Sequence, residues 1–219
     1  MEEAKEPLEK EESHDTGEKD MWDLVNYPLL AERAFDLAKA GLAAGEVPIG
    51  CLFAYFPDEV STQGKELQPI IIAECYNTPN RNKNATCHAE INAVDLAIEW
   101  AKENNVPLST LWPRTSVIVT VEPCVMCAAA LVYIGVRHVR YGCSNKRFGG
   151  CGSIADVPLH EGSKAEANGR VCPKFVGGWR SEEAIMLLKE FYKGENPNAP
   201  SHKVKKKKNR ESGATTDNK

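Results

Sequence analysis

The sequence predicts one layered α/β domain flanked by two disordered ends. Hydrophobic residues make up 42% of the 219 residues, which is a normal share for a globular chain. Apolar periodicity changes along the chain in the order helix, strand, strand, helix, strand, helix, strand. Helical crossovers join the later strands, so these strands are expected to run parallel, with functional residues near their carboxyl ends.

The first half of the domain is predicted to contain two helices and two strands. Leucine and alanine at helical spacing predict a helix over Pro28–Ala44, ended by Gly45. The stretches VPIGCLFAYF and PIIIAECY predict a buried strand and its partner. A second helix is expected to begin near Thr86, as its cap, and to extend through Trp100.

The second half of the domain is predicted to alternate strands and helices. TSVIVTV and VRHVRYG predict two strands, and CVMCAAALVYIG between them predicts a helix with Pro123 in its first turn. The segment 155–173 is expected to be a polar, irregular insertion. A final helix is expected over Ser181–Tyr192, with Ser181 as its cap and Gly194 at its close.

The two ends of the chain carry opposite charge. Residues 1–20 hold nine acidic and three basic side chains, whereas residues 196–219 hold seven basic and two acidic ones. Segments of this composition are typically disordered, which assigns the folded domain to residues 21–195. No apolar run approaches the ~18 residues that a membrane span needs, and the N-terminus lacks a signal-peptide pattern. Secretion and membrane insertion are therefore not expected.

The eight cysteines are too sparse for a disulfide-stapled protein. Cys51, Cys75 and Cys143 lie in strand-like apolar runs, and we expect them to be free thiols in the core. Cys87 and Cys151 lie near the motifs described next, where we expect them to be neighbours rather than ligands of a metal.

Two helix starts, CHAE and PCVMC, each follow a strand and a loop. Cys124 and Cys127 are three residues apart and share one helix face. If the two helix N-termini point at the same place, His88 joins them as a third ligand. A structural zinc site has four protein ligands, whereas three ligands and an open fourth position are typical of a catalytic zinc site.

Glu90 stands two residues after His88 and would lie beside this metal. A carboxylate there can take a proton from zinc-bound water and pass it to the substrate. Two alternatives remain for the paired cysteines. They could be half of a zinc ribbon, although the sequence has no second CxxC, or a redox dithiol, which leaves HAE unexplained.

The motifs HAEINAVD, VTVEPCVMCAAAL and NKRFGGCGS resemble those of the zinc-dependent nucleobase deaminases, and specifically of the tRNA adenosine deaminases. The closing FYKGENPNAPSHKVKKKK is similar to the catalytic subunit of the eukaryotic two-subunit enzyme that converts wobble adenosine to inosine in tRNA anticodons. The resemblance covers about Leu30 to Tyr192. It implies a three-layer α/β/α cytidine-deaminase-like fold with a central mixed sheet of about five strands.

The resemblance also implies roles for individual residues. His88, Cys124 and Cys127 would bind Zn²⁺, and Glu90 would carry protons between the water and the purine. Asn77 would contact the target nucleoside, and the segment from Val47, together with Ala89, would wall the base. From the residues alone, Val47 and Ala89 fit core packing equally well, and Asn77 fits a turn at a strand end.

Two further segments have the composition of an RNA-binding surface. In RFGGCGS the paired glycines permit close backbone approach, Arg147 can contact phosphate and Phe148 can stack on a base, although a simple turn with a core aromatic also fits. The tail is expected to hold tRNA phosphates, with a solvated run or a nuclear localisation signal as alternatives. Its cations are Lys203, Lys205, Lys206, Lys207, Lys208 and Arg210.

The resemblance implies two partners: the anticodon arm of tRNA, and a catalytically degenerate deaminase-like subunit that completes a heterodimer. It implies residence in the nucleus, the cytoplasm or both.

Two other functions stay open. One is a zinc deaminase of a free nucleoside or nucleotide (cytidine, deoxycytidylate or guanine). The other is a catalytically silent deaminase-like RNA-binding subunit, although such a protein would not need Glu90.

Overall fold

A computed structural model describes residues 27–57, 69–160 and 172–194 of the chain. Its helices are α1 (Tyr27–Ala43), α2 (Pro79–Asn82), α3 (Ala89–Glu103), α4 (Leu108–Leu111), α5 (Val125–Ile134) and α6 (Ser181–Lys193), with a short 3₁₀ helix at Trp112–Arg114. Its strands are β1 (Gly50–Tyr55), β2 (Ile70–Tyr76), β3 (Thr115–Val121), β4 (His138–Cys143) and β5 (Lys174–Val176). The predicted head and tail lie outside the described residues, as does most of the 155–173 insertion, whose described residues 157–160 are helical rather than irregular.

The five strands of the described part form one mixed sheet in the order β2-β1-β3-β4-β5. β1 pairs antiparallel with both β2 and β3, whereas β3, β4 and β5 run parallel. The parallel pairing of β3 with β4 follows from the crossover through α5. β2 and β3 point the same way because both oppose β1, so their carboxyl ends lie at the same edge of the sheet.

Helices cover both faces of the sheet, and β1 shows how its residues are shared between them. All six residues of β1 are buried, and neighbouring side chains point to opposite faces. Leu52 packs with α1, in a cluster next to the one in which α1 meets α6. Cys51 and Phe53 pack with α3 and with Leu131 of α5. The predicted α/β/α fold with a mixed sheet of five strands is confirmed.

Most predicted elements are confirmed to within three residues, but three helix starts differ. Thr86 is not the cap of α3: its amide and hydroxyl donate to Asn84 Oδ1 at 3.0 and 2.8 Å, so it closes a turn, and His88 occupies the N-cap position. Pro123 precedes α5 rather than lying in its first turn, since Cys124 is the extended N-cap residue. Arg180, at φ 47°, occupies the N-cap position of α6 instead of Ser181.

The cysteines and glycines follow expectation more closely. All eight cysteines lie among the described residues and are free thiols. Cys51 and Cys143 are buried and Cys75 is half-buried. Gly45, just after α1, has φ +76°, which favours glycine because it lacks a Cβ. Among the described residues, no helix has both the length and the apolar character that crossing a bilayer requires.

Candidate active site

Three metal-binding side chains meet at the edge of the sheet where β2 and β3 end. His88 is the N-cap residue of α3, Cys124 is the N-cap residue of α5, and Cys127 lies in the first turn of α5. Both caps have extended backbone conformations, which direct their side chains off the helix ends rather than along the flanks. The structure therefore brings together the three residues that the sequence predicted as ligands.

The distances within this group suit a tetrahedral metal. His88 Nδ1 lies 3.5 Å from Cys124 Sγ and 3.6 Å from Cys127 Sγ. All three donor atoms lie within 4.8 Å of one another. In a tetrahedral site with Zn–S about 2.3 Å and Zn–N about 2.0 Å, the sulfur and nitrogen atoms are separated by about 3.5 Å. The arrangement fits a three-ligand site with one open position.

The pKa values of the two thiols are shifted in opposite directions. A hydrogen bond from the Cys127 thiol, helped by His88, lowers the pKa of Cys124 to about 4, so Cys124 is a thiolate at neutral pH. The same hydrogen bond raises the pKa of Cys127, which keeps its proton. The bond to Cys124 also raises the pKa of His88. A thiolate at a helix N-terminus is an effective ligand for a soft divalent cation.

Glu90 lies in the first turn of α3 and is 3% exposed. Burial, reinforced by the charge of Cys124, raises the pKa of its carboxyl group to about 7. A group with this pKa gains and loses protons readily near neutral pH, which is the property that a general acid–base residue needs.

A cavity of about 700 Å³ opens above these residues. His88, Glu90 and Cys124 form part of its floor, whereas Cys127 is fully buried behind them. The cavity is mainly apolar, with polar groups converging at its base, as is usual for a small-molecule site. Further lining residues are Val47, Ile49, Asn77, Val121, Glu122, Val125, Met126, Ser144, Asn145, Lys146, Arg147, Phe148, Ile154, Leu188 and Tyr192.

Asn77 follows β2 directly and is 4% exposed at the cavity wall. Its Oδ1 accepts a hydrogen bond from the backbone N–H of Ala89 at 2.8 Å. Because a backbone N–H can only donate, this bond fixes the orientation of the amide and leaves Nδ2 as a donor. Asn77 thus joins the end of β2 to the first turn of α3.

The two predicted base-wall residues differ in position. Val47 lines the cavity and is half-buried. Ala89 is fully buried in the core cluster and is not among the lining residues; its contact with the site is the backbone bond to Asn77.

Arg147 and Phe148 lie at the mouth of the cavity, on the loop after β4. Phe148 is 61% exposed, and the guanidinium carbon of Arg147 lies 5.6 Å from the centre of its ring. Phe148 is therefore not a core aromatic. An exposed ring next to a cation is suited to stacking on a base.

Sequence reasoning missed two buried carboxylates that hold loops near the cavity. Glu46, 1% exposed, accepts the backbone N–H groups of Asn80 and Arg81 at 3.1 and 2.7 Å. Glu122, 2% exposed, accepts donors from the loop after β4. The sequence contained one indication of both residues, because each acid interrupts an otherwise apolar stretch next to a strand.

Comparison with known proteins places the chain in a family. The sequence model of the MafB19-like deaminases matches residues 30–186. The chain belongs to this family. His88, Glu90, Cys124 and Cys127 all lie within the matched residues.

Relatives of this deaminase come from animals and bacteria. The tRNA-specific adenosine deaminase 2 of Danio rerio is 43% identical over 178 residues, covering 80% of this chain and 74% of the relative. The protein of the same name from Xenopus tropicalis is 42% identical, covering 80% and 94%. The tRNA-specific adenosine deaminase of Rickettsia felis is 31% identical, covering 72% and 95%.

Solved structures share the fold of this deaminase. A chain from studies of A-to-I editing by tRNA:A34 deaminases superposes with a TM-score of 0.53 at 24% identity, covering 72% of this chain and 96% of that one. A guanine deaminase from Nitrosomonas europaea superposes with a TM-score of 0.52 at 21% identity, covering 75% and 83%. At these identities the likeness shows the fold alone.

Proposed function

We propose that this chain deaminates adenosine to inosine at the wobble position of tRNA anticodons, as the zinc-dependent catalytic subunit of a heterodimer. The observation that carries the proposal is that His88 and Cys124 meet the buried carboxyl group of Glu90 at the floor of one cavity, with Cys127 directly behind them. Relatives at 42–43% identity, named tRNA-specific adenosine deaminase 2, support the substrate.

His88, Cys124 and Cys127 hold the metal, and the spacing of their donor atoms supports Zn²⁺. When bound there, Zn²⁺ supplies Lewis acidity that lowers the pKa of a coordinated water toward about 7. Cys127, which is protonated without the metal, would lose its proton on binding the cation, and the two resulting thiolates would balance the charge of Zn²⁺ next to the N-termini of α3 and α5.

Glu90 moves the protons. It takes one proton from the attacking water and delivers it to nitrogen 1 of the purine as the water oxygen adds to carbon 6. It then carries the second proton of the water to the amino group, which leaves as ammonia. Each transfer requires Glu90 to change protonation state, for which a pKa of about 7 is well suited.

Residues in the walls of the cavity hold the base during these proton transfers. Asn77 presents its amide nitrogen as a donor to the target nucleoside, and Val47 packs against the ring. Phe148 and Arg147 are placed at the mouth to stack on a neighbouring base and to contact a phosphate. Ala89 acts through its bond to Asn77 rather than through its side chain.

The basic tail, beginning at Lys203, is proposed to hold the tRNA backbone outside the anticodon loop. Such contacts release counterions, so deleting residues 203–219 should weaken tRNA binding and reduce its dependence on salt concentration. Equal affinity and equal salt slope with and without these residues would leave the tail without an RNA role.

An enzyme that acts on tRNA would be expected in the nucleus, the cytoplasm or both.

Apolar side chains on α5 and α6 support the proposed second subunit. Each helix buries one face in the core and exposes large hydrophobic residues on the other, with Tyr133 69% and Met186 62% exposed. Exposed apolar patches on a folded domain commonly mark interfaces. We expect Tyr133→Asp or Met186→Asp to release a copurifying deaminase-like subunit. Retention of that subunit by both variants would place the interface elsewhere.

The first experiment is to purify the chain with whatever accompanies it and to measure inosine formation at the wobble base of a full-length tRNA transcript. Free adenosine, cytidine, deoxycytidylate and guanine are tested in parallel. Glu90→Ala should retain zinc and lose turnover. Glu99→Ala is the matched control, because Glu99 lies on the same helix but is exposed.

The outcomes distinguish the three candidate functions. Inosine in tRNA, dependent on Glu90 and unaffected by Glu99→Ala, supports the proposal. Turnover of a free nucleoside, nucleotide or base, without turnover of tRNA, keeps the deaminase chemistry and overturns the substrate. A zinc-loaded complex that is inactive on every substrate favours a silent RNA-binding subunit.

A further inference from the structure

A buried carboxylate, Glu122, links the metal-binding segment to the loop that carries Arg147 and Phe148. Glu122 follows β3 directly and precedes Cys124 by two residues. Its backbone N–H donates to the carbonyl of Cys143 at 2.8 Å, which fixes it against the end of β4. The side chain is 2% exposed, and it forms no ion pair within the described residues.

Four donors from one loop satisfy this carboxylate. One oxygen, Oε2, accepts the N–H of Asn145 at 2.7 Å and the hydroxyl of Ser153. The other, Oε1, accepts the N–H groups of Cys151 and Ser153 at 3.0 and 3.2 Å. All four partners are donors, so only a side chain with two accepting oxygens satisfies them together.

The loop closes tightly around Glu122 because two glycines permit it. A Cβ on Gly149 would lie 2.5 Å from the carboxyl carbon of Glu122, and a Cβ on Gly150 would lie 2.7 Å from Val125 Cα. The close approach that the paired glycines allow is therefore to the protein's own carboxylate and helix start. The Phe148 carbonyl also accepts the N–H of Val125 at 2.9 Å.

We propose that Glu122 is a positioning residue for tRNA: it fixes the 144–153 loop so that Arg147 and Phe148 stand at the mouth of the cavity. The donors lie on both sides of these two residues, at Asn145 and at Cys151 and Ser153, so the carboxylate closes the loop at its base. This inference rests on the proposed function. It assigns Glu122 to substrate binding rather than to metal binding or proton transfer.

The test is Glu122→Gln in the full chain, purified with its accompanying subunit. The substitution replaces one accepting oxygen with an NH₂ group, which is a donor. In either orientation of the amide, this NH₂ group would face at least one backbone N–H donor. We expect the KM for tRNA to rise about tenfold, with kcat and zinc content changing much less. Glu74→Gln is the matched control: Glu74 is a half-buried acid on β2, paired with Arg33, and its substitution should leave KM unchanged.

Hydrogen exchange supplies a readout that needs no substrate. In Glu122→Gln, peptides spanning residues 144–153 should exchange faster than in the parent protein, while peptides from β3 and α3 should not. If the parent protein fails to deaminate tRNA, the proposed function falls, and exchange alone decides the role of Glu122. Unchanged exchange in the loop would overturn that role.

Two further variants keep the inference testable if Glu122→Gln does not fold. Ser153→Ala removes one of the four donors and should raise KM about twofold to threefold. Gly149→Ala pushes the loop away from the carboxylate and should raise KM further. A normal KM in both variants, or a rise in KM accompanied by loss of zinc, would refute a positioning role.

Discussion

The floor and the mouth of the cavity are held in different ways. Floor residues such as His88, Glu90 and Cys124 are placed by helix N-termini at the ends of buried strands. Mouth residues such as Phe148 lie on a loop that is held by hydrogen bonds to the Glu122 carboxylate and to the backbone at the start of α5. Phe148 is 61% exposed, whereas Glu90 is 3% exposed.

This difference separates chemistry from recognition. The floor is rigid because moving it would disrupt the core, so it suits groups that must meet reacting atoms closely. At the mouth the base of the loop is fixed, but the side chain of Phe148 projects into solvent, so it suits contacts with a large, irregular substrate. Substitutions in the floor should therefore lower kcat, and substitutions at the mouth should raise KM for tRNA.

The largest effect is expected from removing a metal ligand. Cys124→Ala should abolish zinc binding and reduce deamination by roughly a thousandfold or more, since a three-ligand site cannot lose a donor and stay closed around the cation. Zinc per chain and the initial rate are measured together. Cys151→Ala is the matched control, because Cys151 is a half-buried neighbouring thiol outside the ligand group. Loss of zinc in Cys151→Ala would show that the ligand set is wrong.

A smaller effect is expected from replacing Asn77, which lies at the cavity wall close to the floor residues. Asn77→Ala removes the acceptor of the Ala89 N–H and the amide donor that is proposed to contact the nucleoside. We expect kcat/KM to fall about 100-fold with zinc retained, which is the cost of leaving a buried backbone donor and a substrate group unpaired. Asn104→Ala, at the exposed end of α3, should have no effect. Loss of zinc in Asn77→Ala would mean that this residue supports the ligands instead.

The floor could be predicted from sequence because its chemistry restricts residue types. Two cysteines three apart, and a histidine with a glutamate two residues later, provide the proposed ligands and the proposed acid–base group within two short motifs. Apolar periodicity predicted the layered α/β order and four of the five strands, whereas the five-strand mixed sheet was implied by the family resemblance, because β5 is a strand of only three residues, KFV. Thr86 was misplaced as a cap because Asn84 competes for its amide and hydroxyl, which residue preference alone does not reveal.

The support of the mouth could not be predicted in this way. Glu122 binds mostly backbone N–H groups of residues 23 to 31 positions later, and backbone donors leave no mark in the residue pattern. Glu46 likewise binds backbone groups of Asn80 and Arg81, which lie 34 and 35 positions later. Such contacts become visible only when the loops are seen in place.

A test at the mouth is Phe148→Ala. Loss of an exposed stacking ring should raise the KM for tRNA about fivefold to tenfold, with kcat unchanged, because base–aromatic stacking contributes about 1–3 kcal/mol. Phe148→Tyr keeps the ring and should retain the parent KM. A fall in kcat without a change in KM would contradict the division between floor and mouth, since it would give a mouth residue a part in the chemistry.

The smallest effect is expected from Arg147, whose guanidinium lies over Phe148 and is exposed to solvent. An exposed cation that contacts one phosphate contributes modestly at physiological salt, but it releases about one counterion on binding. Arg147→Gln should therefore raise the KM for tRNA only about threefold at low salt, and should reduce the slope of log Kd against log salt by about one. Arg147→Lys keeps the charge and should keep the slope. If the slope is unchanged in Arg147→Gln while KM rises, Arg147 acts by orienting the Phe148 ring, and the mouth recognises bases rather than phosphates.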